Sequence, residues 1–177
     1  MPALAALVAV LCTTSCAAPA ASGTSRGGGL LPRREAAPAL AGRTLTGSEQ
    51  TLAQLRPDVV VINFYASWCE PCKREAPLLS RVARGEAADG VSVLGVLESD
   101  SPERGRRFGR QYGLAYPTLV DSTGALLRRF HVANVGGIPV TVAVDRRGRV
   151  AARWLGPITS QARFLSVVRG LAAEPSS

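Results

Sequence analysis

The residues most able to do chemistry sit together in Ser67-Trp68-Cys69-Glu70-Pro71-Cys72-Lys73-Arg74-Glu75. Cysteines three apart at the start of a helix lie almost one turn from each other, within disulfide reach. Cys69 falls where an apolar strand gives way to a helix, and there unpaired N–H groups and the helix dipole stabilise a thiolate. Its pKa is expected below the free value of about 8.5, making it nucleophilic near neutral pH. Cys72 lies a turn inside and is expected to be more shielded. That division suits dithiol exchange: Cys69 attacks a disulfide to form a mixed disulfide, and Cys72 resolves it. Pro71 opens the helix without an N–H to satisfy and restricts the loop between the sulfurs. A bare C-x-x-C is as often half of a zinc site. The other two cysteines, Cys12 and Cys16, lie in an N-terminal apolar segment, and His131 is the single histidine. His131 reads as a surface or half-buried structural residue.

The elements that must position this pair alternate between strand and helix. Residues 40–45 read as a short strand or hairpin, followed by a helical turn near Leu52 and Leu55. Val59 to Ala66 is a near-continuous apolar run of strand length, as a central strand buried on both faces requires. A helix is predicted from about Pro71 to Arg84, with Leu78, Leu79 and Val82 at helical spacing. Residues 91–97 form the next strand. Ser101-Pro102-Glu103 is a cap with proline at the first helical position, Phe108 and Tyr112 share a face, and Gly113 ends the helix. Residues 117–120 are extended. Residues 140–144 and 149–155 flank a glycine-bearing turn as a hairpin, and a last helix covers about 159–171 with Trp154 in the core. The order is β-α-β-α-β and then β-β-α.

The chain has 177 residues, enough for one domain with extensions; 46% are hydrophobic and 19% charged, so most of it folds around a core. The formal charge of +8 comes from arginines scattered singly or in pairs. With no basic run and no nucleic-acid module, they read as a solvated surface rather than a nucleic-acid site. Residues 1–25 carry no charge, and residues 3–11 are almost purely Ala, Leu and Val. That is the apolar core of an export signal and is shorter than the roughly 20 residues of a membrane span. It runs into Cys12-Thr13-Thr14-Ser15-Cys16 and resembles a lipoprotein signal of residues 1–16, in which Cys16 becomes the acylated N-terminus. An ordinary cleaved signal is the alternative. Residues 17–38 are rich in Ala, Pro, Ser and Gly and are expected to be a flexible linker. The domain is expected over 39–171, with a disordered tail over 172–177.

The strand running into N-F-Y-A-S-W-C-E-P-C is followed by Glu75-Ala76-Pro77, Gly137-Ile138-Pro139 ahead of a strand, and V-D-x-x-G-R-V in the hairpin. On these motifs the chain resembles the thioredoxin-like family, in its extracytoplasmic TlpA/ResA/CcmG branch. The resemblance implies an α/β thioredoxin fold, a central mixed sheet flanked by helices on both faces. It implies an extracytoplasmic thiol-disulfide oxidoreductase that needs no cofactor beyond the cysteine pair. Pro139 then has a cis peptide bond and faces the disulfide, with Ile138 beside Cys69 and its backbone ready to pair with a substrate strand. Pro77 matches a helix-kinking proline. Trp68, with the Glu70-Pro71 pair, shapes the site and meets partners. Cytoplasmic thioredoxins carry a buried Asp six residues before the first cysteine, where Asn63 stands here. The resemblance assigns the proton relay for Cys72 to Glu98; Glu75 reads as a second carboxylate that tunes the pair or, alternatively, as a charge on the helix surface. Tyr65 replaces the usual Trp.

The expected partners are protein disulfides, among them apocytochrome c before haem attachment, and a membrane electron donor of the CcdA/DsbD type. The expected place is the outer face of the cytoplasmic membrane, by lipid anchor, or outside the cell. Oxidation of exported proteins is the alternative direction. A thiol peroxidase would need a threonine-containing pocket for its cysteine on the preceding loop, which the W-C-x-P-C arrangement argues against. A Sco-type copper chaperone would need cysteines four apart with a distal histidine.

Overall fold

The computed structural model describes residues 28–132 and 137–175. The expected signal over 1–16, with Cys16, and residues 17–27 lie outside the described residues, as do 176–177. A six-stranded mixed sheet runs in the order β1-β8-β7-β4-β5-β6, formed by β1 (Gly29–Ala36), β4 (Val59–Tyr65), β5 (Val91–Glu98), β6 (Thr118–Asp121), β7 (Val140–Val144) and β8 (Arg149–Leu155). Strands β4, β5 and β6 are parallel, while β7 and β8 are antiparallel to their neighbours. A small hairpin of β2 (Ala41–Arg43) and β3 (Glu49–Thr51) precedes a 3-10 turn at Ala53–Leu55. This is the expected thioredoxin-type sheet. The bounds of β4 to β8 and of the helices Glu70–Gly85, Pro102–Tyr112 and Gln161–Ala172 fall within two residues of those read from the pattern, while β1, β3 and the short helix Ala125–Arg129 are not among the expected elements.

Every residue of β4 is buried, as its position between β5 and β7 requires. Strand alternation then sorts the chain into two faces. Val59, Val61, Val91 and Val93 meet Leu78, Leu79 and Val82 of helix α1 (Glu70–Gly85) and Phe164, Val168 and Leu171 of α4 (Gln161–Ala172). Trp154 packs edge-on against Phe164 in the same layer. Val60, Ile62, Phe64, Leu94 and Val96 turn the other way, onto Leu40, Leu52 and the short helix α3 (Ala125–Arg129), whose Leu126 joins the core with Phe130. Helix α2 (Pro102–Tyr112) lies on the α1 face, where Phe108 packs beside Tyr65 and Leu97. Pro77 stands inside α1, where it removes one backbone donor.

Two expectations about the ends need correction. The linker expected over 17–38 gives up its second half to β1, which pairs with β8. Gly28 (φ 69°) lies so close to the Trp154 ring that an added Cβ would come within 2.2 Å of it. Leu31 packs on the core. Arg34 bridges Asp145 of the hairpin turn at 3.2 Å and Glu174. Low hydrophobicity made the segment read as tether, but an open edge on β8 supplies partners that local composition does not reveal. Glu174, in the expected tail, is held by the same arginine. No described helix is long and apolar enough to cross a membrane.

Candidate active site

Cys69 is the N-cap residue of α1, and its Sγ accepts the Cys72 N–H at 3.3 Å. The two sulfurs form a disulfide with Cα atoms 5.3 Å apart. A sulfur that already accepts a helix N–H is placed for the thiolate state, where the same bond and the positive helix end favour negative charge. Both cysteines are buried, Cys72 the more deeply. Trp68, by contrast, is 60% exposed beside them. Glu70 lies in the first turn of α1 and pairs with Lys73, and Pro71 opens the helix as expected.

Across the disulfide, the Ile138–Pro139 bond is cis, and the Ile138 carbonyl oxygen lies 3.7 Å from Cys69 Sγ. The Pro139 carbonyl accepts from Gly156 N–H at 3.0 Å, which ties this loop to the end of β8.

The loop carrying Trp68 and Cys69 is fixed from below. Cys69 N–H donates to the Ala66 carbonyl, and Ser67 N–H donates to Oδ2 of Asp100 at 2.8 Å. Asp100 also accepts from Ser101 N–H and from Arg104 Nε at 2.6 Å. Burial pushes its pKa up, but the hydrogen bonds from Ser67, Arg104 and Ser101 outweigh this and hold it below the ordinary range. Tyr65, Phe108 and Tyr112 stack in series, with centroids 4.9 and 4.6 Å apart, and join α2 to the base of the site. Asp100 escapes sequence reasoning because its partner is a backbone amide; Asp-Ser-Pro ahead of a helix was the available signal.

The two candidate carboxylates lie in different places. Glu75, one turn beyond Cys72 on α1, is only 5% exposed. Its Oε1 accepts from Asn63 Nδ2 at 2.8 Å and its Oε2 from Ile158 N–H at 3.2 Å. Asn63 also donates to Thr141 Oγ1 at 3.0 Å. Burial pushes the Glu75 carboxyl up to about 7, with the Ile158 and Asn63 hydrogen bonds opposing. Glu98, at the end of β5, shares strand parity with Leu94 and Val96, which face α3 rather than α1. Its Oε1 accepts from Ser99 Oγ, and a Cβ on Gly124 would lie 2.5 Å from the same oxygen. Burial raises its pKa as well; Glu75 lies on the helix that carries Cys72, and Glu98 at the end of β5. His131 is exposed, and among the described residues no group of three or more His, Cys, Asp or Glu could hold a metal ion.

A thioredoxin-fold sheet with a C-x-x-C disulfide at a helix N-cap, opposite a cis-proline, defines a thiol-disulfide exchange class. The model of the AhpC/TSA family matches residues 34–153, and the chain belongs to that family. It is similar to the thiol-disulfide oxidoreductase ResA of Geobacillus kaustophilus, 30% identical over 117 residues, 66% of each chain. It is also similar to the thiol:disulfide interchange protein HelX of Rhodobacter capsulatus, 36% identical over 110 residues, 62% of this chain and 59% of the relative. Among solved structures, a secreted thiol-disulfide isomerase from Corynebacterium glutamicum superposes with a TM-score of 0.77 at 26% identity, covering 86% of this chain and 96% of that one. These relatives match the expected TlpA/ResA/CcmG branch.

Proposed function

We propose that the chain is an extracytoplasmic thiol-disulfide oxidoreductase that reduces disulfides in protein partners. The carrying observation is a helix-capping sulfur on Cys69 with a buried, protonatable Glu75 one turn beyond Cys72. In the reaction the Cys69 thiolate attacks one sulfur of the partner disulfide, which breaks and releases a partner thiolate that takes a proton from solvent. The Cys72 thiol passes its proton to the Glu75 carboxylate. The Cys72 thiolate then attacks the Cys69 sulfur, forming the Cys69–Cys72 bond and releasing the second partner thiolate. Two electrons move to the partner, and Glu75 returns its proton to solvent.

We assign the relay to Glu75 instead of Glu98, because Asn63 cannot titrate and Glu75 is the carboxylate bonded to it. The Ile138 backbone is the docking edge for a substrate strand, and Trp68 is the exposed contact. Resemblance to ResA and HelX supports an apocytochrome c disulfide as substrate and a CcdA/DsbD-type membrane protein as electron donor. Acylation at Cys16 would hold the domain at the outer face of the cytoplasmic membrane, and the secreted structural neighbour supports the same side of that membrane.

The reduction potential of the pair tests the direction. A value near or below that of thioredoxin, about −270 mV, is expected; one near the oxidant DsbA, about −120 mV, would make the chain an oxidase of exported proteins.

A further inference from the structure

Three hydroxyl-bearing side chains on the α1 face of the sheet, Tyr65 and Thr118 buried and Tyr116 half-buried, take no part in the exchange just described. The β4–β5 register sets Gly95 beside Asn63, the partner of Glu75. The space a side chain on Gly95 would fill is taken from β6 and its lead-in: an added Cβ would come within 2.5 Å of Thr118 Oγ1 and 3.1 Å of the Tyr116 ring. Tyr65, two residues along β4 on the same face, turns its buried hydroxyl toward the buried Thr118 Oγ1, and neither has a partner beyond the other. Such a pair of buried hydroxyls marks a place for a bound water or a moving proton.

The two phenols and the carboxyl act on one another electrostatically. Burial raises the Tyr116 pKa, with Tyr65 and Glu75 adding to the effect. Burial pushes Tyr65 up to about 12, with Thr118 opposing and Asp100 adding. On their outer side, Tyr116 and Thr118 line an open pocket of about 650 Å³ whose rim carries Arg106 and Arg110 and whose wall includes Leu45 and Leu114. The hydroxyls therefore lie between the strand that carries Asn63, the partner of Glu75, and the open pocket at the β6 edge of the sheet. A partner docked on Trp68 and Ile138 would cover the front of the site and leave this rear pocket open.

We propose that Tyr116, Thr118 and Tyr65 form a rear proton relay that exchanges the Glu75 proton with solvent through the pocket beside α2 while a partner covers the cysteines. The inference rests on the Glu75 reading above. The groups that bond to or act on Glu75 are Asn63 of β4, the Ile158 N–H ahead of α4 and Tyr116 ahead of β6, with Thr141 of β7 bonded in turn to Asn63. The nearest acid on the Tyr65 side, Asp100, is neutralised by Arg104. The step moves a proton alone: Glu75 loses it, the hydroxyls pass it on, and no electrons are transferred.

The relay is tested with Tyr116→Phe and Thr118→Val, which keep size and remove only the hydroxyl, and with Thr118→Ser, which restores one. Turnover with a protein disulfide and its solvent deuterium isotope effect are followed from pH 5 to 9, beside the reduction potential and KM. Turnover in the Phe and Val variants is expected to fall about tenfold, with a larger isotope effect, recovery in Thr118→Ser, and unchanged potential and KM. Wild-type turnover and isotope effect in both variants would overturn the relay and leave the Glu75 assignment standing. A loss tracked by an equal change in potential or KM would also overturn it, by showing a packing role. If Glu75→Gln itself turns over like wild type, the Glu75 reading fails first, and the two failures are thereby told apart.

Discussion

The side-chain amide of Asn63 donates to Glu75 Oε1 at 2.8 Å, joining the central strand to the helix that carries both cysteines. The amide cannot titrate, so it orients a carboxyl without competing for its proton. Burial does the rest, holding Glu75 near neutrality, where it can accept and release a proton at working pH.

Glu75→Gln keeps the Asn63 contact but removes the proton site. Reduction of a protein disulfide is expected to slow about 10²-fold, with loss of the kinetic limb near pH 7. The same substitution has a stability signature. A carboxyl raised from 4.5 in the unfolded chain to about 7 in the fold favours the protonated folded state. Its contribution is complete below the unfolded value and is lost as pH rises through the folded one, by up to about 3 kcal/mol. Urea denaturation of the oxidised protein between pH 4 and 8 should show that loss in wild type and a flatter profile in Glu75→Gln.

Asp100→Asn removes the charge that holds Ser67 N–H and Arg104. A cost of about 1–3 kcal/mol is expected near neutral pH. Because the Asp100 pKa is lowered in the fold, this contribution is present above the unfolded carboxylate range and fades as pH falls through the folded pKa. The stability difference between wild type and variant should shrink toward acid pH, and equal stability at pH 7 would contradict the tether.

Much of this was legible in the residues. The continuous apolar run of β4, the capped start of α2 and the hairpin around Gly148 announce themselves through periodicity and turn chemistry, and Cys69-Glu70-Pro71-Cys72 announces the reaction. What stayed hidden depends on contacts between distant segments. The β1 strand exists because β8 has an open edge and Arg34 finds Asp145 and Glu174, none of which its own composition shows. The five-residue α3 is too short for a periodic signal. Glu98 and Glu75 both look like charges near the motif; only strand parity and the Asn63 bond separate them.

The first strand makes a direct test of that correction. A chain beginning at Ala39 lacks β1 and the Arg34 bridges, and uncovers the edge of β8 along with Trp154. Its melting temperature is expected to fall by about 5 °C or more relative to a chain beginning at Gly28, as a loss of roughly 1 kcal/mol or more implies for a domain of this size. Equal melting temperatures would show that β1 adds nothing to the fold.

Trp68 is 60% exposed, so Trp68→Ala should leave stability within about 0.5 kcal/mol. If it meets partners, KM for a protein disulfide rises several-fold while the rate with a small-molecule disulfide is kept. Parallel kinetics with insulin and with glutathione disulfide distinguish a contact surface from a shield of the cysteines.

The division of labour between the two cysteines is the centre of the account, and trapping tests it most directly. Cys72→Ser, mixed with a peptide disulfide, is expected to accumulate a one-to-one adduct joined through Cys69, because the resolving thiol is gone. Cys69→Ser is expected to form none at neutral pH, and the double serine variant to reduce no insulin while keeping its fold. An adduct joined through Cys72, or insulin reduction surviving in the double variant, would contradict the assignment.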